Sequence, residues 1–150
     1  MSLGEDRYRR GLYTFAKRTA PYAMFQTFDG PSGEATCPRR ESSNTPLQAL
    51  ALLNDPVFQE AAQTLGKRLS AEPGAIPARA TRLFRRVVVR PPDAEELSAL
   101  TAFYEKQLTR FASGELSADA LCGEKATPQR AAWTALARAI LNLDEAIVKR

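Results

Sequence analysis

The stretch SSNTPLQALALLNDPVFQEAA, residues 42–62, contains two prolines ten positions apart, and each follows a residue that can cap a helix. Thr45 precedes the first proline and Asp55 precedes the second. This pairing is typical of a helix start, because proline lacks the amide hydrogen that a first turn leaves unpaired. Pro56 also disfavours helical geometry at Asp55, so the first helix must end near Asn54. The stretch therefore predicts two consecutive helices.

Polar side chains surround this joint between the two helices. Four of them fall near the predicted helix ends: Asn44, Gln48, Asn54 and Asp55. Helix ends expose amides and carbonyls that require partners, so the favoured interpretation is that these side chains cap helices and fix loops. Under the alternative interpretation the joint contributes to a ligand site. The candidate binding residues are then Arg39, Arg40, Asn44, Gln48 and Asn54.

Apolar residues recur at spacings of three and four along most of the remaining chain, which is the period of an amphipathic helix. Asp93 with Glu96 three residues later forms a capping-box pattern at the start of the longest predicted helix. No segment keeps a period of two for long, so strands are not expected. The predicted long helices cover residues 6–18, 46–54, 56–69, 77–89, 93–111 and 128–143. A short helix is possible at 117–121. After residue 143 the last helix either continues or restarts at Asp144.

Residues 19–44 interrupt this helical pattern. They hold three prolines, two glycines and no sustained period, so we expect a long extended arm, whose dense aromatic residues argue against disorder. The patterns together predict an all-α fold, a compact bundle of five or six helices with this one arm. With 44% hydrophobic and 25% charged residues, the chain is expected to form a single domain over residues 1–150.

The amino-acid inventory excludes several kinds of site. The chain has no histidine, which removes the commonest general base, the Ser-His and Cys-His nucleophile pairs and histidine-ligated haem. Its two cysteines, Cys37 and Cys122, lie far apart and in no CxxC arrangement, so we predict neither a metal site nor a cofactor in this chain. They either form a disulfide in an oxidising compartment or are two small packed side chains. A carboxylate-based enzyme remains allowed, although no acidic pair stands out.

Positive charge is concentrated in the first part of the chain. Residues 1–90 carry 14 basic and 8 acidic side chains, whereas residues 91–150 carry 7 and 9. One face of a predicted helix bears an arginine stripe: Arg79, Arg82, Arg86 and Arg90. We interpret this stripe as a solvated polar face, and the alternative is binding of phosphate or an acidic polymer. Nucleic-acid binding is not expected, because no nucleic-acid fold signature is present. A basic surface favours an acidic partner.

The sequence also bears on localisation. No run of about 18 apolar residues predicts a membrane span. The N-terminus, MSLGEDRYRR, becomes charged at once and shows no signal-peptide pattern. We expect residues 1–4 to be in part a cloning remnant, so the missing signal says little about where the protein works.

Five sequence blocks follow one another in an order that resembles one family. They are DRYRRGLYTFAKRTAPY (6–22), FQTFDGPSGEATC (25–37), NTPLQALALLNDPVFQEAA (44–62), RLFRRVVVRPPDAEELSAL (82–100) and AAWTALARAILNLDEAIVKR (131–150). On these blocks the chain resembles the planctomycete-specific C-terminal domain of unknown function. The resemblance implies the C-terminal part of a longer exported protein, periplasmic or at the cell surface, whose cytochrome-c-like, haem-binding segment lies upstream where it is present.

The chain departs from the family pattern at two places. Ala16 stands where the family tends to have an aromatic residue, and Ser42 and Ser43 stand where it tends to have an arginine. If that arginine serves a site in the family, the site is altered here, and Arg39 or Arg40 would have to replace it.

Two functions are compatible with these patterns. The leading hypothesis is a non-catalytic interaction or scaffold module that docks to upstream domains of its own protein or to an extracellular acidic partner. The rival is part of an enzyme that acts on sulfated or acidic polysaccharide, in which Arg40 holds an anionic group and a carboxylate acts as base. Its candidate catalytic residues are Asp29, Arg40, Asn44 and Asp55. A concave pocket shared by these four would favour the enzyme, whereas separate capping roles would favour the module.

Overall fold

The computed structural model describes residues 4–15, 17, 19–31, 33, 36–39 and 42–148. Within these ranges the all-α prediction is confirmed: the chain forms eight α-helices, two short 3-10 helices and no β-strand. The chain divides into two compact units, unit 1 with residues 1–52 and unit 2 with residues 53–150. That both belong to a single domain stays a prediction.

Unit 1 consists mainly of short elements. Two 3-10 helices, Gly4–Tyr8 and Gly11–Tyr13, precede α1, Ala23–Thr27. Helix α2, Pro46–Asn54, begins in this unit and ends where the sequence predicts. The predicted arm therefore includes one short helix.

The single helix predicted over residues 6–18 is wrong. Arg10 and Thr14 have extended backbone, with ψ of 147° and 134°, and they interrupt the segment on both sides of the second 3-10 helix. Leu12 and Phe15, which belong to the expected apolar face, are 82% and 84% exposed. A short helix gains most of its stability from packing of its apolar face, so a helical period without a covering surface does not produce a helix.

Aromatic residues of the arm pack within unit 1. The rings of Tyr22 and Phe25 meet edge to face, with centroids 5.4 Å apart. Gly11 lets the Phe25 ring approach the backbone, because a Cβ at this glycine would lie 2.8 Å from Cε1 of Phe25. This close approach holds the second 3-10 helix against α1.

Unit 2 contains the hydrophobic core, which is centred on α7. Its helices are α3 (Pro56–Ala71), α4 (Ile76–Val88), α5 (Ala94–Ala112), α6 (Ala118–Cys122), α7 (Pro128–Leu141) and α8 (Asp144–Ile147). Helix α7 packs most extensively against α3, α5 and α6. Trp133 of α7 is fully buried, and its ring centroid lies 4.2 Å from that of Tyr104 on α5. Ala131 and Ala137 are also fully buried, and such small side chains let neighbouring helices approach closely.

Side-chain caps start four helices of unit 2, and the sequence predicts those at Asp55 and Asp93. Asp55 accepts a hydrogen bond from the amide of the second residue of α3, and Thr127 accepts one from the third residue of α7. Asp93 and Glu96 form the reciprocal capping box at α5. Ser117 caps α6 in the same manner. Local sequence therefore fixes the beginnings of these helices.

The C-terminal ends of the helices are less predictable from local sequence than their starts. Helix α4 ends at Val89, whose φ of 73° is left-handed, and this side chain is 84% exposed. Glycine usually occupies that position, as Gly123 does after α6, because a branched side chain is strained there. Helix α7 stops at Leu141, and a new helix begins at Asp144.

One arginine connects three helices of unit 2. Arg90 follows α4 and donates two hydrogen bonds to Glu96 of α5, at 2.8 and 2.7 Å, and two to Glu145 of α8, both at 2.7 Å. Its guanidinium carbon lies 5.0 Å from the ring centroid of Phe84. Glu96 also accepts the backbone N–H of Asp93, at 2.8 Å. The hydrogen bond from Arg90, and then that from Asp93, lowers the pKa of Glu96 to about 2.

We expect Glu96 to make unit 2 sensitive to acid. Because its folded pKa lies below the ordinary 4.5, its stabilisation is complete above that pH and is lost as the pH falls towards 2. Glu96→Gln should be less stable than the wild type at neutral pH and should lose less stability on acidification. Thermal unfolding at constant ionic strength between about pH 7 and pH 2.5 measures this difference. Glu105→Gln, an exposed position on α5, is the control, and equal acid slopes for wild type and Glu96→Gln would contradict the assignment.

A glycine allows α3 and α7 to touch. A Cβ at Gly66 would lie 2.1 Å from Oγ1 of Thr134 and 2.8 Å from its backbone nitrogen. Thr134 is fully buried, and its hydroxyl donates to the carbonyl of Arg130 at 2.9 Å. A side chain at position 66 could therefore be accommodated only if the backbone of α3 or α7 shifted.

Gly66→Ala should destabilise unit 2 by about 1–3 kcal/mol, although alanine is intrinsically the better helix former by about 1 kcal/mol. The free energy of unfolding in urea, followed by the fluorescence of Trp133, measures the loss. Thr64→Ala, at an exposed position of the same helix, should stay within about 0.5 kcal/mol of the wild type. A more stable Gly66→Ala protein would show that the two helices are not in contact here.

Candidate functional site

The candidate site residues are distributed over both units. Asp29, Arg39, Asn44 and Gln48 lie in unit 1, whereas Asn54 and Asp55 lie in unit 2. Arg40 falls outside the described residues. A common pocket for the four candidate catalytic residues thus stays a prediction.

In unit 1 a hydrogen-bonded cluster connects the arm to α2. We call it the Asp29 cluster, and its members are Thr27, Asp29, Ser43, Thr45 and Gln48. Ser43 donates twice to Asp29, from its backbone nitrogen and from its hydroxyl, both at 2.7 Å. The amide nitrogen of Gln48 donates to the carbonyl of Thr27 at 2.9 Å and to the hydroxyl of Ser43 at 3.1 Å. Gln48 is only 3% exposed, and a buried amide requires hydrogen-bond partners within the protein. Thr27 and Ser43 provide these partners for its side-chain nitrogen.

Gln48 also completes a capping box at the start of α2. Its side-chain oxygen accepts the backbone N–H of Thr45 at 3.1 Å, and its own backbone N–H donates to Oγ1 of Thr45 at 3.3 Å. The N-cap role predicted for Thr45 is therefore confirmed. Threonine followed three residues later by glutamine is the sequence signal of this motif, and it identifies Gln48 as the partner.

A tight turn positions the carboxylate of Asp29. Its φ of 55° is left-handed, a region that aspartate tolerates better than most residues. The following residue, Gly30, donates its backbone N–H to the carbonyl of Phe25, and a Cβ there would lie 2.6 Å from that oxygen. The turn after α1 therefore requires a glycine, and it directs Asp29 towards Ser43.

Two candidates take no part in the Asp29 cluster. Asn44 is exposed, and its side chain makes no hydrogen bond within the described residues, so it does not satisfy buried backbone groups as we expected. Arg39 is exposed as well, and its carbonyl oxygen accepts a hydrogen bond from the thiol of Cys37 at 3.3 Å. Cys37 and Cys122 are both free thiols, the first exposed and the second buried.

On the unit 2 side of the joint, polar groups serve the helix ends. Asp55 accepts the backbone N–H of Val57 at 2.8 Å. The carbonyl of Leu53 accepts from Arg138 of α7 at 2.8 Å and from Gln59 of α3 at 3.3 Å. These bonds satisfy groups that a helix terminus leaves unpaired. The capping interpretation therefore holds for Asp55.

The arginine stripe is not a free surface. Arg79 donates to two carbonyls at the C-terminal end of α3, at 3.0 and 3.3 Å, and its guanidinium lies over the core tryptophan. Arg82 and Arg86 both pair with Glu72, at 2.9 and 3.4 Å. Arg90 connects α5 and α8. Arg82 and Arg86 stay exposed, as a solvated face requires, whereas Arg79 is half-buried. The sequence did not predict that these arginines also connect helix ends.

Unit 1 exposes several large apolar side chains close to arginines. The guanidinium of Arg7 lies 4.9 Å from the ring centroid of Tyr8, and that of Arg10 lies 5.7 Å from the ring of Tyr13. Exposed aromatic residues beside arginine are typical of interaction surfaces. We give the name unit 1 apolar surface to the set of large apolar side chains that unit 1 exposes: Tyr8, Leu12, Tyr13, Phe15, Tyr22, Leu47 and Leu50.

Among the described residues, no group of three or more His, Cys, Asp or Glu side chains that could hold a metal ion occurs. Both carboxylate oxygens of Asp29 already accept hydrogen bonds from Ser43. No helix in the described ranges is both long enough and apolar enough to cross a membrane.

A family model described as a protein of unknown function (DUF1553), PSD1, matches residues 1–104. The chain belongs to the DUF1553 family. The match includes unit 1, α3, α4 and the first part of α5, whereas the central helix α7 of this DUF1553 chain lies beyond it. Comparison with curated proteins and with solved structures finds no match. The resemblance seen in the sequence is therefore confirmed as membership of a family of unknown function.

We expect Gln48→Ala to destabilise unit 1 by about 1–3 kcal/mol, because it leaves buried donors and acceptors without partners. Asn44→Ala, its exposed neighbour, should change stability by less than about 0.5 kcal/mol. Amide hydrogen exchange of Ser43 and Thr45 reports on this unit directly, and exchange at both should accelerate in Gln48→Ala alone. Faster exchange of the Ser43 and Thr45 amides in Asn44→Ala would show that the Asn44 side chain does cap this segment.

Proposed function

We propose that this DUF1553 chain is a non-catalytic docking module, which binds other domains of its own exported protein or an acidic partner through the unit 1 apolar surface. The observation that carries this proposal is the exposure of Leu12 and Phe15 between basic residues. A partner that covers them removes apolar area from water, which is the main driving force of most protein association. Planctomycete origin and export are part of the proposal and rest on the resemblance of the sequence blocks.

The composition of the unit 1 apolar surface supports docking to a protein. Tyrosine and arginine are enriched among the residues that contribute most binding energy at interfaces. Here Tyr8 and Tyr13 each lie beside an arginine, so ring and guanidinium can be buried together. A partner with apolar residues and carboxylates would match both groups.

Preorganisation of the displayed segment supports the same function. Gly11 packs against Phe25, and the Asp29 cluster holds the arm to α2. A segment that is already ordered loses less conformational entropy on binding than a free peptide does. The Asp29 cluster thus contributes to binding indirectly, because it orders the segments that carry the unit 1 apolar surface.

The charges of the segment give the binding an expected salt dependence. Arg9 is paired with Asp6 at 2.9 Å, both side chains being largely exposed, and Lys17 adds a further cation. Exposed charges steer an acidic partner and are screened by salt over about 10 Å at 0.1 M ionic strength. The apolar contribution persists at high salt, so the two contributions can be separated.

The enzyme alternative is not favoured by the geometry. Asp29 is held by Ser43, Asp55 caps α3, and Asn44 makes no side-chain hydrogen bond within the described residues. A general base requires an oxygen that is free to accept a proton from substrate. In the full-length protein, haem belongs to the proposed upstream segment, and no cofactor is proposed for this chain.

The test uses the chain as bait and two defined probes, the separately expressed upstream fragment of the same protein and polyglutamate. We expect the upstream fragment to bind, with affinity reduced but not abolished by high salt. The double variant Leu12→Ser/Phe15→Ser should bind at least about tenfold more weakly. Val89→Ser is the matched control, because it removes an equally exposed apolar side chain from unit 2.

The outcomes separate the two partner classes. Capture of polyglutamate alone, with strong salt dependence, would assign an acidic partner instead of the upstream fragment. Equal binding by the double variant and by Val89→Ser would show that the unit 1 apolar surface is not the docking surface. Circular dichroism establishes that both variants keep the helical content of the wild type.

A further inference from the structure

A groove of about 380 Å³ lies on unit 2, between α3 and the junction of α6 with α7. Helix α3 contributes Gln63 and Lys67, the junction contributes Gly123 and Glu124, and α7 contributes Arg130. The groove includes no residue of the unit 1 apolar surface. Its function is therefore independent of the docking proposed above.

Two cations from different helices converge on one carboxylate oxygen in this groove. Arg130 Nη2 lies 2.7 Å from Oε1 of Glu124, and Lys67 Nζ lies 3.8 Å from the same oxygen. Glu124 belongs to the exposed loop between α6 and α7. A carboxylate of the chain itself thus occupies the position between the two cations.

The guanidinium of Arg130 has a donor without a hydrogen-bond partner. Its side chain is only 14% exposed, and its Nε is buried without a hydrogen-bond partner among the described residues. Nε and Nη2 lie on the same edge of a guanidinium, and that edge binds two oxygens of one anion side by side. Glu124 meets only the Nη2 end, and the buried Nε has no acceptor, so an anion can use this edge in full only after Glu124 has moved away.

The wall of the groove is shaped by a glycine and a fixed amide. Gly123 has a φ of 72°, and a Cβ there would lie 3.4 Å from Nε2 of Gln63. The same nitrogen donates to the carbonyl of Leu121 at 3.0 Å, which fixes the amide in place. A side chain at position 123 would therefore narrow the groove beside Lys67.

We propose that Lys67 and Arg130 form a binding site for a tetrahedral oxyanion, phosphate or sulfate, which displaces Glu124 as the internal ligand. The anion would place one oxygen on Nε and another on Nη2 of Arg130, with Lys67 as a further positive charge. Glu60 also lines the groove, and its negative charge opposes any anion. The hydrogen bond from Arg130, reinforced by charge, lowers the pKa of Glu124, so the internal ligand stays ionised at neutral pH.

The oxyanion has two sources with the same chemistry, a free ion or an ester on a sugar. Free phosphate and sulfate fit between the cations without further contacts. An ester would extend its sugar along the groove, past Thr64 and Glu60 of α3. Comparison of inorganic sulfate with glucose 6-sulfate, and of inorganic phosphate with glucose 6-phosphate, distinguishes the two.

The test is a titration of the full chain, followed by amide chemical shifts, with phosphate, sulfate and the two sugar esters at constant ionic strength set by chloride. Shifts should concentrate at Gly123, Glu124 and Arg130. Glu124→Gln should bind about tenfold more tightly, because the internal competitor loses its charge. Arg130→Lys, which keeps the charge but loses the paired donors, should bind about tenfold more weakly.

Two further variants keep the outcome decisive. Lys67→Met, at an exposed position, should weaken binding without disturbing the buried arginine, and Arg86→Lys, which does not line the groove, should have no effect. Equal binding by wild type, Arg130→Lys and Lys67→Met would overturn the site and leave an adventitious ion only. Unchanged affinity in Glu124→Gln would overturn the role of Glu124 as internal ligand.

Discussion

The placement of Arg79 over Trp133 is the interaction on which much of unit 2 depends. The guanidinium lies 4.8 Å from the ring centroid and donates to the carbonyls of Leu69 and Glu72. A charged group withdrawn from water requires such replacements. Here a π-face and two carbonyl oxygens at Nη1 supply part of them, whereas Nε has no hydrogen-bond partner among the described residues. The Arg79 side chain thus covers the ring of Trp133 on α7 and donates hydrogen bonds to the carbonyls at the C-terminal end of α3. Loss of Arg79 would uncover the tryptophan and leave those carbonyls unpaired.

The two units are stabilised by different means. Unit 2 buries a continuous set of apolar side chains around α7, whereas in the described part of unit 1 only Gln48 and Leu52 are buried. Unit 1 instead relies on hydrogen bonds among Asp29, Ser43 and Gln48. A structure held by polar contacts can leave its apolar residues on the outside. This difference is the physical basis for proposing unit 1 as the docking unit.

The sequence predicts those features that depend on neighbouring residues. The starts of α2, α3, α5 and α7 follow from caps within three positions, and the apolar stripes of α3, α4, α5 and α7 identify most of the core. The segment 6–18 has the helical period but no surface to pack on, and period alone cannot reveal this absence. Asp29 and Ser43 are fourteen positions apart, so no local motif connects them. The arginine stripe is visible in the sequence, but the carbonyls and carboxylates that it binds become its neighbours only after folding.

The left-handed valine after α4 has a kinetic consequence. Val89 has a left-handed φ of 73°, which is strained for a branched residue, and the next residue, Arg90, is held by Glu96 and Glu145. These contacts offset the strain, and they can form only when α5 and α8 have reached their final positions. We therefore expect this turn to form late in folding and to open early in unfolding. We expect unit 2 to open first at the corner between α4 and α5, and the four hydrogen bonds from Arg90 to Glu96 and Glu145 are the contacts that oppose this opening.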